Sequence, residues 1–324
     1  MSRAFKRNFL QHALAVRRWC ERHGASGGID PFSMSMDLAL GGKQVRFRPQ
    51  FVVEPVPGQI GFVPMLDTGV AGFVGWFPYG GKAWPISQDK LVFKQFARDA
   101  GLRVPMAGLD ATGIRGPYIV KRRKSTLGRG LRGPYPAGHA PALVEDEYWE
   151  QFVPGKMLKA WFWDAEPVVV EVIDLPTVRG DGVKTMRRLI EDQLPPGAPF
   201  PEDVDGLAAW QGLTLDSVLA AQRSVIADYR YMSLLNPATA SDHDVRERIR
   251  GTSLEAQLRE AGERCWMAIP QEIRDGTMFS IDGMVDPEGN VWFLETNCNP
   301  QLHPAVYAAM LDGVFGIEDS GGRK

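Results

Sequence analysis

Apolar positions recur with a helical period at the start of the chain. Phe5, Phe9, Leu10, Ala13 and Val16 fall on one face of a helix predicted over 3–22, and Gly24 is its stop signal. Residues 24–33 read as a loop and 38–42 as a turn. Residues 45–48 alternate as a strand does, and 51–56 form a second strand. Pro49, Pro55 and Pro57 keep both short or at an edge. Residues 59–85 are rich in glycine and aromatics and show no clean period, which leaves a substrate wall or an irregular core. Regular patterning resumes with a helix from Lys90, preceded by Ser87, Gln88 and Asp89 and ending at Gly101. A short strand at 118–120 ends in Lys121.

Two apolar arms, 157–162 and 167–173, form a strand pair that turns at Asp164-Ala165-Glu166. A helix over 185–194 follows the turn Gly180-Asp181-Gly182, and 195–206 read as a loop. A short helix is expected over 213–221. A stronger one is expected over 244–260, with many i,i+4 charge relations and an extension through 261–267. The most informative stretch is 279–300, FSIDGMVDPEGNVWFLETNCNP. It predicts a β-hairpin turning at Pro287-Glu288-Gly289-Asn290. Folding it back brings Asp282 and Glu295 together near its open end, with Asn297 pointing the same way as Glu295.

Two carboxylates and an amide oxygen make a hard, all-oxygen set that suits Mg²⁺ shared with nucleotide phosphates. The alternative is an exposed acidic hairpin. The apolar run VWFLETN favours the first, because a carboxylate at its end is partly buried and an unpaired buried charge is costly. Upstream, 121–136 (KRRKSTLGRGLRGPYP) interleaves basic residues with glycines, either as an anion-binding loop or as an exposed basic turn. His303 follows the hairpin closely, as a substrate or phosphate contact or as a structural histidine.

The closing hairpin resembles the metal-binding motif of the ATP-grasp superfamily, with Asp282, Glu295 and Asn297 at the matching positions. Lys90, with Lys94 as its rival, and Lys121 at the end of Ile119-Val120-Lys121 resemble the two lysines that reach ATP phosphates. Residues 125–130, with Ser125, Gly128 and Gly130, resemble the glycine loop that covers the phosphates. Glu150-Gln151-Phe152-Val153 resembles the linker along the adenine. Residues 154–221 are similar to the ATP-grasp modules of cyanophycin synthetase and bifunctional glutathione synthetase, through VPGKMLKAWFWDAEPVVV, PTVRGDGVKTMRRLI and QGLTLDSVLA. The resemblance covers about 87–304; residues 1–80 match nothing in it.

The resemblance implies an α+β chain. A portion of its own kind at 1–86 precedes a connecting helix at 87–104. A small glycine-loop lid at 105–155 and a larger mixed or antiparallel-sheet domain at 156–324 follow. It further implies ATP- and Mg²⁺-dependent ligation of a carboxylic acid, an amino acid or peptide, to an amine through an acylphosphate. Two metal ions are expected, with Mn²⁺ as a substitute, and Lys121 acts in catalysis. A small-molecule kinase and an inactive nucleotide- or peptide-binding module are the alternatives. Met157 stands where relatives place a ribose-binding acid. Ser280 stands where one branch carries the arginine that stabilises the tetrahedral intermediate; Arg230, Arg246 and Arg274 are the candidate replacements. Lys159 stands near a substrate-facing arginine of the cyanophycin branch.

Composition changes little in this picture. Over 324 residues the apolar fraction is 44% and the formal charge −2, which fits a globular chain and gives no electrostatic case for nucleic acid. No run of eighteen apolar residues exists, and the basic start is interrupted by Arg17, Arg18 and Glu21 before a secretory core forms. The 3 cysteines, Cys20, Cys265 and Cys298, form no disulfide or zinc framework. The expected setting is cytoplasmic, with small-molecule substrates, no membrane, and a homodimer as the expectation that accompanies the family.

Overall fold

A computed structural model of the chain describes residues 3–56, 59–67, 69–110, 115–125, 130–138, 142–231, 233–235 and 244–317. The chain is α+β, and its sheets are antiparallel throughout the described residues.

Helix α1 (Arg3–His23) lies on a five-stranded sheet of β1 (Ser26–Ile29), β2 (Met36–Leu40), β3 (Lys43–Val56), β4 (Gln59–Val63) and β5 (Val70–Phe77). Leu10, expected on the apolar face of α1, is 56% exposed, and Trp19 is buried in its helix instead. The loop expected at 24–33 contains β1, whose Gly27 lies so close to β2 that a Cβ there would meet Asp37 O at 2.2 Å. The turn expected at 38–42 narrows to Gly41 and Gly42, both at positive φ, as a two-residue hairpin loop requires. The two strands expected around Pro49 are one. Pro49 lies between the stretch of β3 paired with β2 and the stretch paired with β4, so β3 has a neighbour on one side only there. The aperiodic run 59–85 contains β4 and β5. Residues 73–77 of β5 are buried without alternation, because α1 covers one face and the C-terminal segment packs on the strand.

A 3-10 turn (Pro85–Ser87) leads into α2 (Lys90–Asp99). Asp89 caps it by accepting from the Leu91 and Val92 amides, and Gly101, at φ +77°, follows its end. A small sheet of β6 (Ala107–Gly108), β7 (Tyr118–Arg122), β8 (Arg132–Tyr135) and β9 (Glu147–Gln151) comes next, in the order β6-β9-β7-β8. The central sheet joins β10 (Lys156–Trp163) and β11 (Glu166–Ile173) to β14 (Met278–Val285) and β15 (Val291–Asn297), in the order β11-β10-β14-β15.

Between β11 and β14 the chain forms β12 (Thr177–Arg179), α3 (Met186–Gln193), α4 (Val204–Trp210), β13 (Ser224–Ile226), α5 (Ser253–Met267) and α6 (Gln271–Arg274). Two helix expectations are corrected here. Residues 213–221 form turns that fasten the start of α3 through Ser217 O and Leu215 O, and the helix α4 begins inside the run read as a loop. The helix expected from residue 244 starts at Ser253, capped by Thr252, because Asp244 instead bridges to β11. Helix α7 (Val306–Phe315) packs back on α1 and the central sheet. Among the described residues no helix is long and apolar enough to cross a membrane.

One face of the central sheet, with Leu158, Ala160, Phe162, Phe279, Ile281 and Phe293, packs against α2 and α5. The Phe162 and Phe279 rings stack at 4.9 Å, and Gly262 of α5 lies so close that a Cβ there would meet Phe162 at 2.6 Å. Replacing Phe162 by Ala leaves a cavity that rigid strands cannot close. The expected loss is about 3–5 kcal/mol, read as a lower urea midpoint at unchanged slope.

Candidate active site

The other face of the central sheet carries the charged residues, and a β-bulge decides which. In a regular register Glu295 would share a face with Val291 and Phe293 and point into the core. The ladder instead runs Gly283↔Phe293 and then Asp282↔Glu295, leaving Leu294 as the extra residue. The bulge turns Glu295 to the side of Asp282 and keeps Phe293 in the core. Asn297, opposite Ser280, falls on the same side. Lys159 of β10 pairs with Asp282 on one edge and with Glu171 of β11 on the other. One row, Glu171–Lys159–Asp282–Glu295, therefore crosses all four strands on one face.

The row is tightly bonded. Lys159 Nζ lies 2.5 Å from Asp282 Oδ1, and Asn297 Nδ2 donates to Asp282 Oδ2 at 3.0 Å. Lys90 Nζ lies 3.2 Å from Glu295 Oε2 and donates to Ser125 O and Oγ at 2.8 and 3.2 Å. The Asp282 and Glu295 side chains are 27% and 21% exposed. Enclosure and the neighbouring Glu295 push the Asp282 carboxyl up, against Lys159. Enclosure also works against an ionised Glu295, but Lys90, Lys121 and Lys159 outweigh it and hold that carboxyl below its usual range.

A second cluster lies beneath the first. Glu150 of β9 is 1% exposed and meets Lys94 Nζ at 2.9 Å, Lys121 Nζ at 3.1 Å and the Tyr148 hydroxyl at 3.1 Å. Lys94 also donates to Phe293 O at 3.1 Å, so α2, the small sheet and β15 meet at one ammonium. Burial alone would raise Glu150, but Lys121 and Lys94 hold it at about 2. Burial, with repulsion from Lys121, lowers Lys94 to about 8 despite Glu150. Lys121 is raised, because Glu150, Glu295 and Asp282 outweigh its burial.

The remaining candidates divide. Ser125 lies with Lys90, Arg123, Glu295 and Asn297 around a small cleft, and Arg123 Nη2 is fastened to Asp89 at 2.5 Å. Gly130 has φ +74° and lies against Arg122; Gly128 lies outside the described residues. Phe152 and Val153 pack on an apolar floor with Met157, Ile173 and Met284, so the departure at Met157 fills this layer. Ser280 is buried, with Trp161 and Asn297 as its cross-strand neighbours. The Trp161 indole donates to Gln301 O at 2.8 Å. His303 Nδ1 accepts from the Ala305 amide, and its Nε2 lies 3.8 Å from Glu171 Oε1.

The arginines expected near the reacting carbon are not brought to the acid pair. Arg230 is held by Asp228, Asp203 and Glu202 O, and Arg274 closes the end of α5 through Ile269 O and Met267 O. Arg246 donates to Val168 O. Glu171 and Tyr231, whose hydroxyl bonds Glu171, were missed in the sequence. An acid inside the apolar run VVVEVI is the signal that could have found Glu171.

Asp282, Glu295 and Asn297 offer hard oxygen donors on one face of paired strands, a set that fits a small divalent cation sharing ligands with phosphate. Among the described residues no group of three or more His, Cys, Asp or Glu side chains gathers to hold a metal.

The Glu150 cluster generates a pH prediction. Its folded-state pKa of about 2 lies below the ordinary 4.5, so its contribution is fully present above pH 4.5 and is lost as pH falls toward 2. Glu150→Gln strands two lysines, lowers stability at pH 7 by about 3–5 kcal/mol, and flattens the acid limb in urea titrations between pH 2 and 5.

No protein-family model and no curated protein matches the chain. Solved structures do. A bifunctional glutathione synthetase from Pasteurella multocida is 14% identical with TM-score 0.43, covering 95% of this chain and 43% of its own. The VanG D-Ala:D-Ser ligase from Enterococcus faecalis is 14% identical with TM-score 0.37, covering 72% and 62%. An L-amino acid ligase from Bacillus licheniformis is 10% identical with TM-score 0.32, covering 70% and 45%. The chain thus spans less than two thirds of the length of each.

Proposed function

We propose that the protein joins a carboxylic acid to an amine at the expense of ATP, through an acylphosphate. The observation that carries this reading is the row of charges on the central sheet. The bulge at Leu294 sets Glu295 beside Asp282, with Lys90 and Lys159 on the two acids and Lys121 behind them. Phosphoryl transfer needs little covalent help from a protein and much fixed charge of this kind.

In this reading Asp282, Glu295 and Asn297 hold Mg²⁺, which neutralises phosphate oxygens and orients the transfer. Lys90 and Lys121 offset phosphate charge from the α2 and small-sheet sides. A carboxylate oxygen of the acid attacks the γ-phosphorus, and ADP leaves. The amine nitrogen then attacks the acyl carbon, the C–O bond to phosphate breaks, and the nitrogen loses a proton. Ser125 bonds Lys90 beside Glu295, and in this reading it begins the loop 125–130 that covers the acylphosphate and excludes water. The activated acid is an amino acid or a peptide.

The test incubates the protein with MgATP and a panel of amino acids and short peptides, singly and in pairs. The expected result is ADP release that needs two substrates, with a product one water lighter than their sum. A phosphorylated single substrate would replace this reading with a kinase. Glu295→Gln is expected to lower turnover by about 10²–10³-fold with little change in melting temperature.

A further inference from the structure

We propose that Lys159 is a displaceable counter-ion: it occupies Asp282 when no cation is bound, and it turns to Glu171 when a divalent cation takes Asp282. The inference rests on the ligase reading for the identity of the cation as Mg²⁺, and on geometry for the rest. Both Asp282 oxygens are engaged from within, Oδ1 by Lys159 at 2.5 Å and Oδ2 by the Asn297 amide at 3.0 Å. A cation that binds Asp282 competes with these contacts, because an ammonium and a metal ion on one carboxylate repel each other.

Lys159 has a second place to go. Its two direct cross-strand neighbours on the same face are both acids, Asp282 on β14 and Glu171 on β11. The flexible four-carbon stem of a lysine reaches either by side-chain rotation, with the backbone ladder unchanged. The Trp161 and Tyr231 rings flank the ammonium at 5.5 and 5.3 Å from their centroids and offer their faces along the path. Glu171 is 1% exposed and takes the Tyr231 hydroxyl, so it is a fixed, oriented acceptor. Cation binding thereby moves one positive charge from the acid pair toward Glu171.

The test measures Mn²⁺ binding to the nucleotide-free protein by electron paramagnetic resonance for wild type, Lys159→Met, Glu171→Gln and the double variant. Lys159→Gln serves as a second form should the methionine variant fold poorly. Removing the competitor is expected to tighten Mn²⁺ at least tenfold. Glu171→Gln is expected to weaken it severalfold in the wild-type background and to have no effect once Lys159 is gone. A simple field effect would give Glu171→Gln the same effect in both backgrounds, and that result would overturn the proposal. So would Mn²⁺ affinity that stays the same, falls or is lost in the Lys159 variants. The ligase reading fails separately: a wild type in which the exchange holds but MgATP does not bind would refute that reading alone.

Discussion

A carboxylate held away from water needs a cation within reach, and this requirement ties the separate parts of the chain together. Glu150, Glu171, Asp282 and Glu295 come from β9, β11, β14 and β15, and Lys90, Lys94, Lys121 and Lys159 come from α2, β7 and β10. Each acid has a lysine in contact or directly across a strand. Lys94 is the member with least access to water. It is 0% exposed, and its contacts to Glu150 and Phe293 O hold α2 between the small sheet and the central sheet. Without that ammonium, Lys121 alone faces Glu150, and the tie between α2 and Phe293 O of β15 is lost.

The N-terminal layer supports the same site from the other side. The Leu302 amide donates to Val74 O, and Leu302 packs on Gly75, where a Cβ would come within 2.6 Å of it. That close approach fixes the segment carrying Gln301 and His303 against Trp161 and Glu171. The Tyr307 hydroxyl accepts from the Trp76 amide and bonds buried His12 at 2.8 Å. Burial, with His303 nearby, lowers His12 to about 3, so this joint stays neutral across ordinary pH. The layer is thus a wall that sets residues 301–303, which connect β15 to α7.

Much of the site was legible because its elements are local. The closing hairpin shows two apolar arms and a turn sequence, and the strand pair 157–173 shows the same. The bulge at Leu294 was not legible, since an extra residue in one strand leaves no mark in the apolar pattern. The meeting of Asp282 with Glu295 follows from spacing; which face they share does not. Strand β5 escaped notice because it is covered on both sides, and a strand without a wet face does not alternate. Helix α4 escaped because Gly206 weakens its helical signal. That glycine answers to a distant neighbour: a Cβ there would meet Pro134 O of β8 at 3.2 Å. The partners of Arg230 and Arg274 are likewise tertiary facts, and residue type alone could not tell a catalytic arginine from one that closes a helix.

The central claim is that the charged row activates a carboxylate by placing a phosphoryl group on it. The most direct test uses the acid substrate labelled with ¹⁸O in its carboxylate and follows the label by mass spectrometry after turnover with MgATP. An acylphosphate carries one labelled oxygen out on the released phosphate, and one ¹⁸O per phosphate is the predicted result. Phosphate free of label, with amide formed at the normal rate, would contradict the account.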